Sequence, residues 1–401
     1  MGNTSSAELL EIGRTHHRSG RLEEAEAHYR RALELGTKAV NARLDLAEVL
    51  HDLGRMQEAA EVLGQLVVER PKLAVGWVRL ARVVAAGGFK WEAHQAIRKA
   101  LKLRPDSETL VAASGVLLTL QDCDAAESAC RRALKILPNY VPAWIHLGRA
   151  LAADHRHADA LAAFERALAI EPGNRVAAFF RAALKGESGP TVVPPEYVRE
   201  LFDEYAERFD GALVGLLQYR TPEMLERMLG QWIEHTGEPP RKMVMLDAGC
   251  GTGLCGMCLA KYRGRLIGID LAPRMIGESR LRGVYDELVV GEVVEELRRR
   301  PDSVDLIAAG DLLVYLGDLT AFFGAAATAL REGGILLISV EAAEIGEFVL
   351  LPTQRFAHSM PYLERMASAN QLAVRMKEEA VIRRDRGKDV RGYLVLMEAI
   401  H

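Results

Sequence analysis

The sequence has little net charge and no long apolar run. Its 401 residues hold 51 lysines and arginines against 55 aspartates and glutamates, a formal net charge of −4. This balance argues against a nucleic-acid-binding surface, and the lack of a long apolar stretch argues against a membrane span. No signal-like segment opens the chain, so we expect a soluble cytoplasmic protein.

Cysteine is also scarce. Only five cysteines occur, an odd number without a secretory signal, so we expect reduced thiols in a cytoplasm. Cys250, Cys255 and Cys258 have C-x4-C-x2-C spacing, which is similar to a metal or cluster motif. Cys250 falls in a glycine-rich loop, however, and the other two fall on the next helix with no fourth ligand. We therefore predict small buried hydrophobic residues and no metal site.

An internal repeat fills the first half of the sequence. Small residues and prolines recur at steps of 34 residues, with one step shortened by a single residue near Cys123. Each unit has the length of two amphipathic helices, and a single unit cannot bury its apolar face without neighbours. The recurring residues are Gly13, Ala47, Ala81, Gly115 and Gly148, and then Pro71, Pro105, Pro138 and Pro172.

Residues 6–174 resemble tetratricopeptide repeats, on phrases such as Gly20-Arg-Leu-Glu-Glu-Ala25 and Ala163-Phe-Glu-Arg-Ala-Leu-Ala-Ile-Glu-Pro172. The resemblance implies five helical pairs and a capping helix over 174–185, in a repeat domain spanning 1–185. It also implies a concave groove that binds a protein partner or a carrier. By analogy the groove is lined by Leu10, Arg14, His17, Arg18, Glu48, His51, Asp52, Val78, Arg82, Val116, Thr119, Ile145 and Arg149.

A second domain is predicted over 196–401, after a proline- and glycine-rich linker at 186–195. Apolar runs alternate there with helical segments, which predicts a parallel sheet covered on both faces. The turn-like run Arg386-Gly-Lys-Asp389 predicts a final antiparallel hairpin. The seven predicted strands are Val244–Ala248, Leu266–Asp270, Glu287–Gly291, Asp305–Ala309, Ile335–Val340, Ala380–Arg384 and Tyr393–Glu398.

The most specific motif of the sequence follows the first predicted strand. Val244-Met-Leu-Asp-Ala-Gly-Cys-Gly-Thr-Gly253 is an apolar run that ends in a glycine-rich turn, and the next apolar run ends at Asp270. Glycines at these positions let the backbone turn sharply and approach a ligand closely. A carboxylate at the end of the second strand is placed to accept hydrogen bonds from both hydroxyls of a ribose.

The pattern E/D-x-G-x-G-x-G resembles the S-adenosylmethionine (SAM) motif of class I methyltransferases. With Gln218-Tyr-Arg-Thr-Pro222 and Arg355-Phe-Ala-His-Ser359, nearly the whole chain is similar to bacterial predicted tetratricopeptide-repeat methyltransferases. The resemblance implies fold class α + α/β, with an all-α repeat superhelix before a seven-stranded Rossmann-like domain, and SAM as cofactor. The residues it implies for SAM are Asp247, Gly249, Gly251, Gly253, Asp270, Leu271, Glu292, Val293 and Asp311.

Five candidates have roles that the residues themselves leave open. Tyr205 is a candidate lid over the cofactor, since an aromatic ring can face a sulfonium cation; core packing explains it equally well. Tyr219 and Arg220 are candidates for the SAM carboxylate, with a surface salt bridge as the alternative. Asp311 and His358 are the candidate proton acceptors near the methyl group, although His358 fits a structural role and Asp311 fits a cofactor contact or a helix cap.

Three functions fit these observations. The first is methylation of a small molecule or carrier-bound metabolite, with the repeats used for assembly. The second is methylation of a protein held in the repeat groove, and the third is an adaptor with a vestigial enzyme domain. Glu341–Leu372 is expected to form the acceptor pocket wall with residues 197–222. No N-P-P-Y or D-P-P-Y sequence follows the fourth strand, which argues against a nucleic-acid acceptor.

Overall fold

The computed structural model describes residues 5–35, 40–186, 189–210, 219–237, 242–385 and 387–400, and it describes no side chains over 204–210. The chain divides into two compact units, Met1–Arg181 and Ala182–His401. Across the described ranges, every helix is too short or too polar to cross a membrane.

The first unit consists of paired helices. The five pairs are α1 (Ser6–Arg18) with α2 (Leu22–Glu34), α3 (Val40–Asp52) with α4 (Met56–Glu69), α5 (Ala74–Ala86) with α6 (Lys90–Lys102), α7 (Ser107–Thr119) with α8 (Cys123–Ile136), and α9 (Val141–Ala153) with α10 (His157–Ile170). A further helix, α11, spans Arg175–Lys185. These pairs confirm the predicted repeat architecture. The first compact unit ends at Arg181, inside α11, whereas the sequence places the domain boundary after residue 185.

Small residues of the first helices make room for large residues of the second helices. A Cβ atom added at Gly13 would lie 2.6 Å from the Tyr29 ring, and one added at Gly148 would lie 2.5 Å from the Phe164 ring. Tyr29 and Phe164 are completely buried. Glycine therefore recurs in the first and last pairs because an aromatic ring fills the crossing point.

The described residues of the second unit form one nine-stranded sheet. Its strands are β1 (Met243–Ala248), β2 (Arg263–Asp270), β3 (Glu287–Val290), β4 (Val304–Ala309), β5 (Leu330–Ala342), β6 (Phe348–Leu350), β7 (Phe356–His358), β8 (Leu372–Asp385) and β9 (Lys388–Ala399). The order is β3-β2-β1-β4-β5-β7-β6, with β9 antiparallel to β5 and paired to β8. All seven predicted strands are present. The predicted count is too low, because β6 and β7 are only three residues long and show no readable alternation.

Helices cover the sheet on both faces. They are α12 (Pro195–Asp210), α13 (Thr221–Thr236), α14 (Leu254–Leu259), α15 (Pro273–Arg282), α16 (Val293–Arg298), α17 (Thr320–Ala329) and α18 (Met360–Ala369). Leu246 and Ile307 belong to the apolar core on one face, and their neighbours Met245 and Leu306 belong to the core on the other. Burial of successive residues is what a parallel sheet with two covered faces requires.

Part of the predicted linker belongs to the fold of the second unit. The Val193 amide donates to the Tyr315 carbonyl at 2.9 Å, and the Gly317 amide donates to the Thr191 carbonyl at 2.7 Å. Val193 is buried. The linker prediction of 186–195 is therefore too long at its end, because proline and glycine content does not reveal that Thr191–Val193 pairs with the segment after β4.

Candidate functional site

A cleft opens at the carboxyl ends of the parallel strands in the second unit. It encloses about 1130 Å³, part of it open to solvent, which suits a nucleoside-sized cofactor and a small acceptor. Its walls come from the loops after β1, β2, β3 and β4, from α12, and from Arg355 in the segment between β5 and α18. This is the edge of an open parallel sheet where ligands bind.

The glycine loop after β1 forms the floor of the cleft. Gly249, Gly251 and Gly253 have φ angles of +69°, +54° and +94°, a region that residues with a Cβ atom rarely adopt. The amides of Gly249 and Cys250 both donate to the Ile269 carbonyl at 2.9 Å, which ties the loop to β2. Gly249 and Gly251 line the cleft, and Gly253 begins α14. The loop thus exposes backbone to any ligand in the cleft.

Asp270, at the end of β2, holds the glycine loop against the next loop. Its Oδ2 accepts from the Gly251 amide at 2.9 Å, and its Oδ1 accepts from the Ala272 amide at 2.8 Å. Burial raises the pKa of this carboxyl to about 6. Asp270 lines the cleft, and each of its oxygens keeps a lone pair for a further donor.

Asp247 lies behind the loop and outside the cleft lining. The Tyr285 hydroxyl donates to its Oδ2 at 2.6 Å, and its side chain is almost completely buried. Burial also raises the pKa of Asp247 to about 6. The described lining of the cleft does not include Asp247, whose carboxylate holds Tyr285, and its predicted contact with the cofactor stays a prediction.

The loops after β2 and β3 bring Leu271, Glu292 and Val293 to one wall of the cleft. Glu292 is the N-cap of α16, where its Oε2 accepts from the Glu295 amide at 2.9 Å. One carboxylate oxygen therefore satisfies the helix end, and the other remains for a donor such as the amino group of an adenine.

A cluster of four charged side chains closes the cleft beyond β4. Asp311, which has a φ of +61°, accepts from Arg355 Nη1 at 3.1 Å and from Arg383 Nη1 at 3.4 Å. Arg383 also pairs with Glu341, and both of these side chains are buried. Arg355 and Asp311 line the cleft. These two cations and two carboxylates therefore neutralise one another on the side of the cleft where an acceptor would enter.

The candidates on the helical side of the cleft have different outcomes. Tyr219 is buried and lines the cleft, and burial raises the pKa of its hydroxyl well above the usual value. Arg220 is exposed just before α13 and does not belong to the described lining. Tyr219 and Thr221 occupy the inward positions beside it, and the contact of Arg220 with a cofactor carboxylate stays a prediction. The side chain of Tyr205 lies outside the described residues.

His358 is a structural residue. Its Nε2 lies 2.8 Å from the Leu316 carbonyl and 3.1 Å from the Gly317 carbonyl, so this nitrogen carries the proton and donates. Burial lowers the pKa of His358 to about 4, and the side chain is fully buried outside the cleft lining. The predicted role of His358 as a proton acceptor near the methyl group is therefore corrected. Asp311 is a weak candidate for the same role because two arginines hold its carboxylate.

Sequence reasoning missed the arginines. Arg355 stands in a phrase that carries the family resemblance, but nothing in its local sequence assigns it to the cleft. Arg383 sits on a strand that alternates charged and apolar residues, so it reads as a solvent-facing position. The burial of Arg383 follows from the pairing of β8 with β9 and of β9 with β5, which the sequence alone does not reveal.

The first helices of the repeat unit carry charged contacts between neighbouring pairs. Arg14 Nε donates to Asp45 at 2.9 Å, and His17 Nε2 lies 2.7 Å from Asp52. Several predicted groove residues are instead buried, because the first helices pack on one another: His51, Val78, Val116 and Ile145. The surface of these helices is therefore more charged than the predicted lining.

Family models match both units. A model described as a methyltransferase domain matches residues 246–338, and tetratricopeptide repeat models match residues 10–74 and 141–174.

Curated relatives share part of the chain. It is 34% identical over 110 residues to the ubiquinone biosynthesis O-methyltransferase of Xylella fastidiosa (strain 9a5c), covering 26% of this chain and 45% of that protein. It is 33% identical over 153 residues to the malonyl-[acyl-carrier protein] O-methyltransferase of Yersinia pestis, covering 38% and 53%. The chain thus spans about half the length of the curated relatives that it matches.

Among solved structures, one similar chain is the 1,6-didemethyltoxoflavin-N1-methyltransferase of Burkholderia thailandensis with bound S-adenosylhomocysteine. It has a TM-score of 0.41 at 20% identity, and the match covers 53% of this chain and 92% of that one. The family models thus identify tetratricopeptide repeats in the first unit and a methyltransferase domain in the second. The predicted order of the two domain types and the predicted α + α/β fold class are confirmed.

Proposed function

We propose that this protein transfers a methyl group from SAM to a small-molecule or carrier-bound acceptor, while its repeats recruit a protein partner or carrier. One observation carries the proposal: the glycine loop and the Asp270 carboxylate share the floor of a single cleft, with Asp270 bonded to the Gly251 amide at 2.9 Å. Backbone approach and an adjacent carboxylate are the groups that a nucleoside with a methionine tail needs.

Each group of lining residues would bind a different part of the cofactor. Gly249 and Gly251 would carry the methionine part, Asp270 would accept from the ribose hydroxyls, and Leu271 and Val293 would flank the adenine. SAM supplies an electrophilic methyl group on a sulfonium. The chain's own contribution is to align the acceptor with that methyl group and to exclude water, for which a catalytic dyad is not required.

A small or carrier-bound acceptor is favoured over a whole protein surface. Val193, Val198 and Phe202 add apolar walls to the same cleft as the glycine loop, which favours a slender acceptor. The relatives are named for ubiquinone biosynthesis and for a malonyl group on a carrier protein, which supports the same choice. The intact glycine loop and Asp270 argue against a vestigial domain.

Two matched glycine variants test cofactor binding. Gly249→Val and Gly283→Val meet the same backbone penalty, since their φ angles are +69° and +65°. Only Gly249 lines the cleft; a Cβ at Gly283 would meet nothing within 4 Å. We expect S-adenosylhomocysteine to bind the wild type with micromolar Kd, about −8 kcal/mol. Gly249→Val should lose this binding in calorimetry and Gly283→Val should keep it; equal behaviour would refute the site.

Charge reversals test the proposed role of the repeats. Arg82→Glu with Arg149→Glu changes two first-helix positions, and Arg98→Glu with Arg166→Glu makes the same change on second helices, where both arginines are exposed. The first double variant should lose partner proteins that the wild type retains from a cell extract, and the second should keep them. Affinity for S-adenosylhomocysteine should be unchanged in both. A first-helix variant that keeps its partners but loses the cofactor contradicts this division of labour.

A further inference from the structure

Arg355 is the one cationic side chain among the described residues that line the cleft; the charged residues around it are Asp270, Glu292 and Asp311. It reaches the cleft from the segment between β6 and β7. Its side chain is 20% exposed, and its guanidinium carbon lies 5.7 Å from the centre of the Tyr315 ring. The ring and the nearby loops thus present this cation to whatever occupies the acceptor side of the cleft.

Most of the hydrogen-bonding capacity of Arg355 is unused. Its Nη1 donates to Asp311 Oδ2 at 3.1 Å and lies 3.8 Å from Glu341 Oε1. Within the described part of the chain, its Nε and Nη2 have no hydrogen-bond partner. Arg383 pairs with both carboxylates as well, so the two cations and two carboxylates balance, and Arg355 would bind a ligand through its free N–H donors. The free edge of a guanidinium has the geometry for a bidentate carboxylate.

The described lining offers no ready proton acceptor. Asp270 accepts from two backbone amides and Glu292 caps a helix, and the lone pairs that remain on them would be used by the ribose and the adenine of the cofactor. Asp311 is held by two arginines. Burial raises the pKa of the Tyr219 hydroxyl, which keeps its proton at neutral pH. A hydroxyl or ammonium acceptor would need a base to lose its proton. A carboxylate is already ionised at neutral pH and needs none.

We propose that the methyl acceptor is a carboxylate, that Arg355 holds it in the cleft, and that the product is a methyl ester. This inference rests on the proposed function and names its substrate class. One carboxylate oxygen uses a lone pair to form the new O–CH₃ bond. The S–CH₃ bond breaks, and its electron pair stays on sulfur. The carboxylate and the sulfonium become a neutral ester and a neutral thioether, so no proton has to move.

A titration tests the carboxylate site without requiring turnover. Malonate, succinate and glutarate are titrated calorimetrically into the full chain saturated with S-adenosylhomocysteine, beside their neutral diamides. We expect at least one dicarboxylate to bind, its diamide not to bind, and Arg355→Met to weaken binding tenfold or more. Arg355→Lys, which keeps the charge but not the fork, should lose less. Arg384→Met is the matched control, since Arg384 pairs with Asp389 at 2.8 Å on an exposed hairpin.

The possible results distinguish a failure of the carboxylate site from a failure of S-adenosylhomocysteine binding. If no dicarboxylate binds better than its diamide, or if Arg355→Met binds as the wild type does, the inference is overturned. Loss of S-adenosylhomocysteine binding in Arg355→Met would also overturn it, because Arg355 would then hold the carboxylate of the cofactor itself. If the wild type fails to bind S-adenosylhomocysteine, the proposed function fails first.

The chemistry of the product gives a second readout. The full chain is incubated with methyl-labelled SAM and with both the small-molecule and the protein-bound fractions of a cell extract. The label should then be released as methanol by mild alkali, as from a carboxyl methyl ester, and Arg355→Met should lower the yield. Label that resists alkali, as an ether or methylamine would, contradicts the carboxylate acceptor. If no fraction accepts label, the proposed function is refuted, while the titration still decides the role of Arg355.

Discussion

The two units of this chain use contacts of very different sequence separation. In the repeat unit, Arg14 and Asp45 are 31 residues apart and His17 and Asp52 are 35 apart, close to one repeat length. In the methyltransferase unit, Asp311 meets Arg383 over 72 residues, and Tyr197 donates to Gln354 over 157. Contacts that repeat at one repeat length leave a pattern in the sequence, so the repeat unit can be predicted from it. The acceptor side of the cleft depends on residues far apart in the sequence and leaves no such pattern.

The largest expected effect tests the long-range cluster. Arg383→Met leaves Glu341 buried without its main partner, which should cost about 3–5 kcal/mol of folding stability. Arg384→Met, at the next residue of β8, changes an exposed pair and should stay within about 0.5 kcal/mol. Scanning calorimetry of both variants checks the difference. Equal unfolding temperatures would mean that the cluster does not hold β8 and β5 together.

Asp270→Asn should have the next largest effect, on cofactor affinity. The variant replaces one acceptor oxygen with a donor beside the Gly251 and Ala272 amides. Loss of charge-assisted contacts to a ribose should weaken S-adenosylhomocysteine binding by about 1.5–3 kcal/mol. Asp302→Asn makes the same chemical change at an exposed residue of the same unit. Calorimetry should find that only Asp270→Asn binds more weakly, and an effect of similar size in both variants would contradict the role of Asp270.

The same carboxyl predicts how binding depends on pH. Burial raises the pKa of Asp270 from 3.8 to about 6, so the carboxylate that accepts from the ribose becomes protonated as the pH falls below about 6. Affinity for S-adenosylhomocysteine should therefore fall by up to about tenfold between pH 6 and pH 5.

The folding stability contributed by Asp270 should change in the opposite direction. A raised folded-state pKa means that the native state binds protons more readily than the unfolded state. Its contribution is therefore fully present below pH 3.8 and is lost as the pH rises through 6. Titrations of wild type and Asp270→Asn across this range check both trends. An equally steep fall in affinity in the variant would assign the pH dependence to another group.

The distance in sequence between contacting residues also determines which parts of the site could be predicted. The glycine loop and Asp270 could be placed because each strand end is read from a few neighbouring residues, and parallel strand ends meet at one edge of the sheet. Arg355 could not be placed, because it depends on the short β6–β7 hairpin, which has no pattern of its own. His358 failed for a related reason: residue type and proximity to a motif cannot distinguish a buried donor to two carbonyls from a base.

A smaller effect is expected in the repeat unit, where contacts are local. Gly148→Ala places a Cβ against the Phe164 ring, and overpacking costs about 1–3 kcal/mol, partly offset by about 1 kcal/mol of helix propensity. Gly64→Ala in α4 meets nothing within 4 Å and should gain the propensity alone. We expect the two variants to move the unfolding temperature in opposite directions. A stabilising Gly148→Ala would show that the last pair is loosely packed.

The smallest expected effect concerns Arg220. It tests whether a position inside the sequence motif or a position in the cleft decides the contribution of a residue to binding. Arg220 lies beside Tyr219 in the sequence phrase that carries the family resemblance, yet it is exposed and Tyr219 is buried in the cleft. Arg220→Met should therefore leave the Kd for S-adenosylhomocysteine within about twofold, because an exposed charge contributes little. Tyr219→Ala, which removes a cleft wall, should weaken it more. If calorimetry gave the reverse order, Arg220 would hold the cofactor carboxylate, as the sequence predicts.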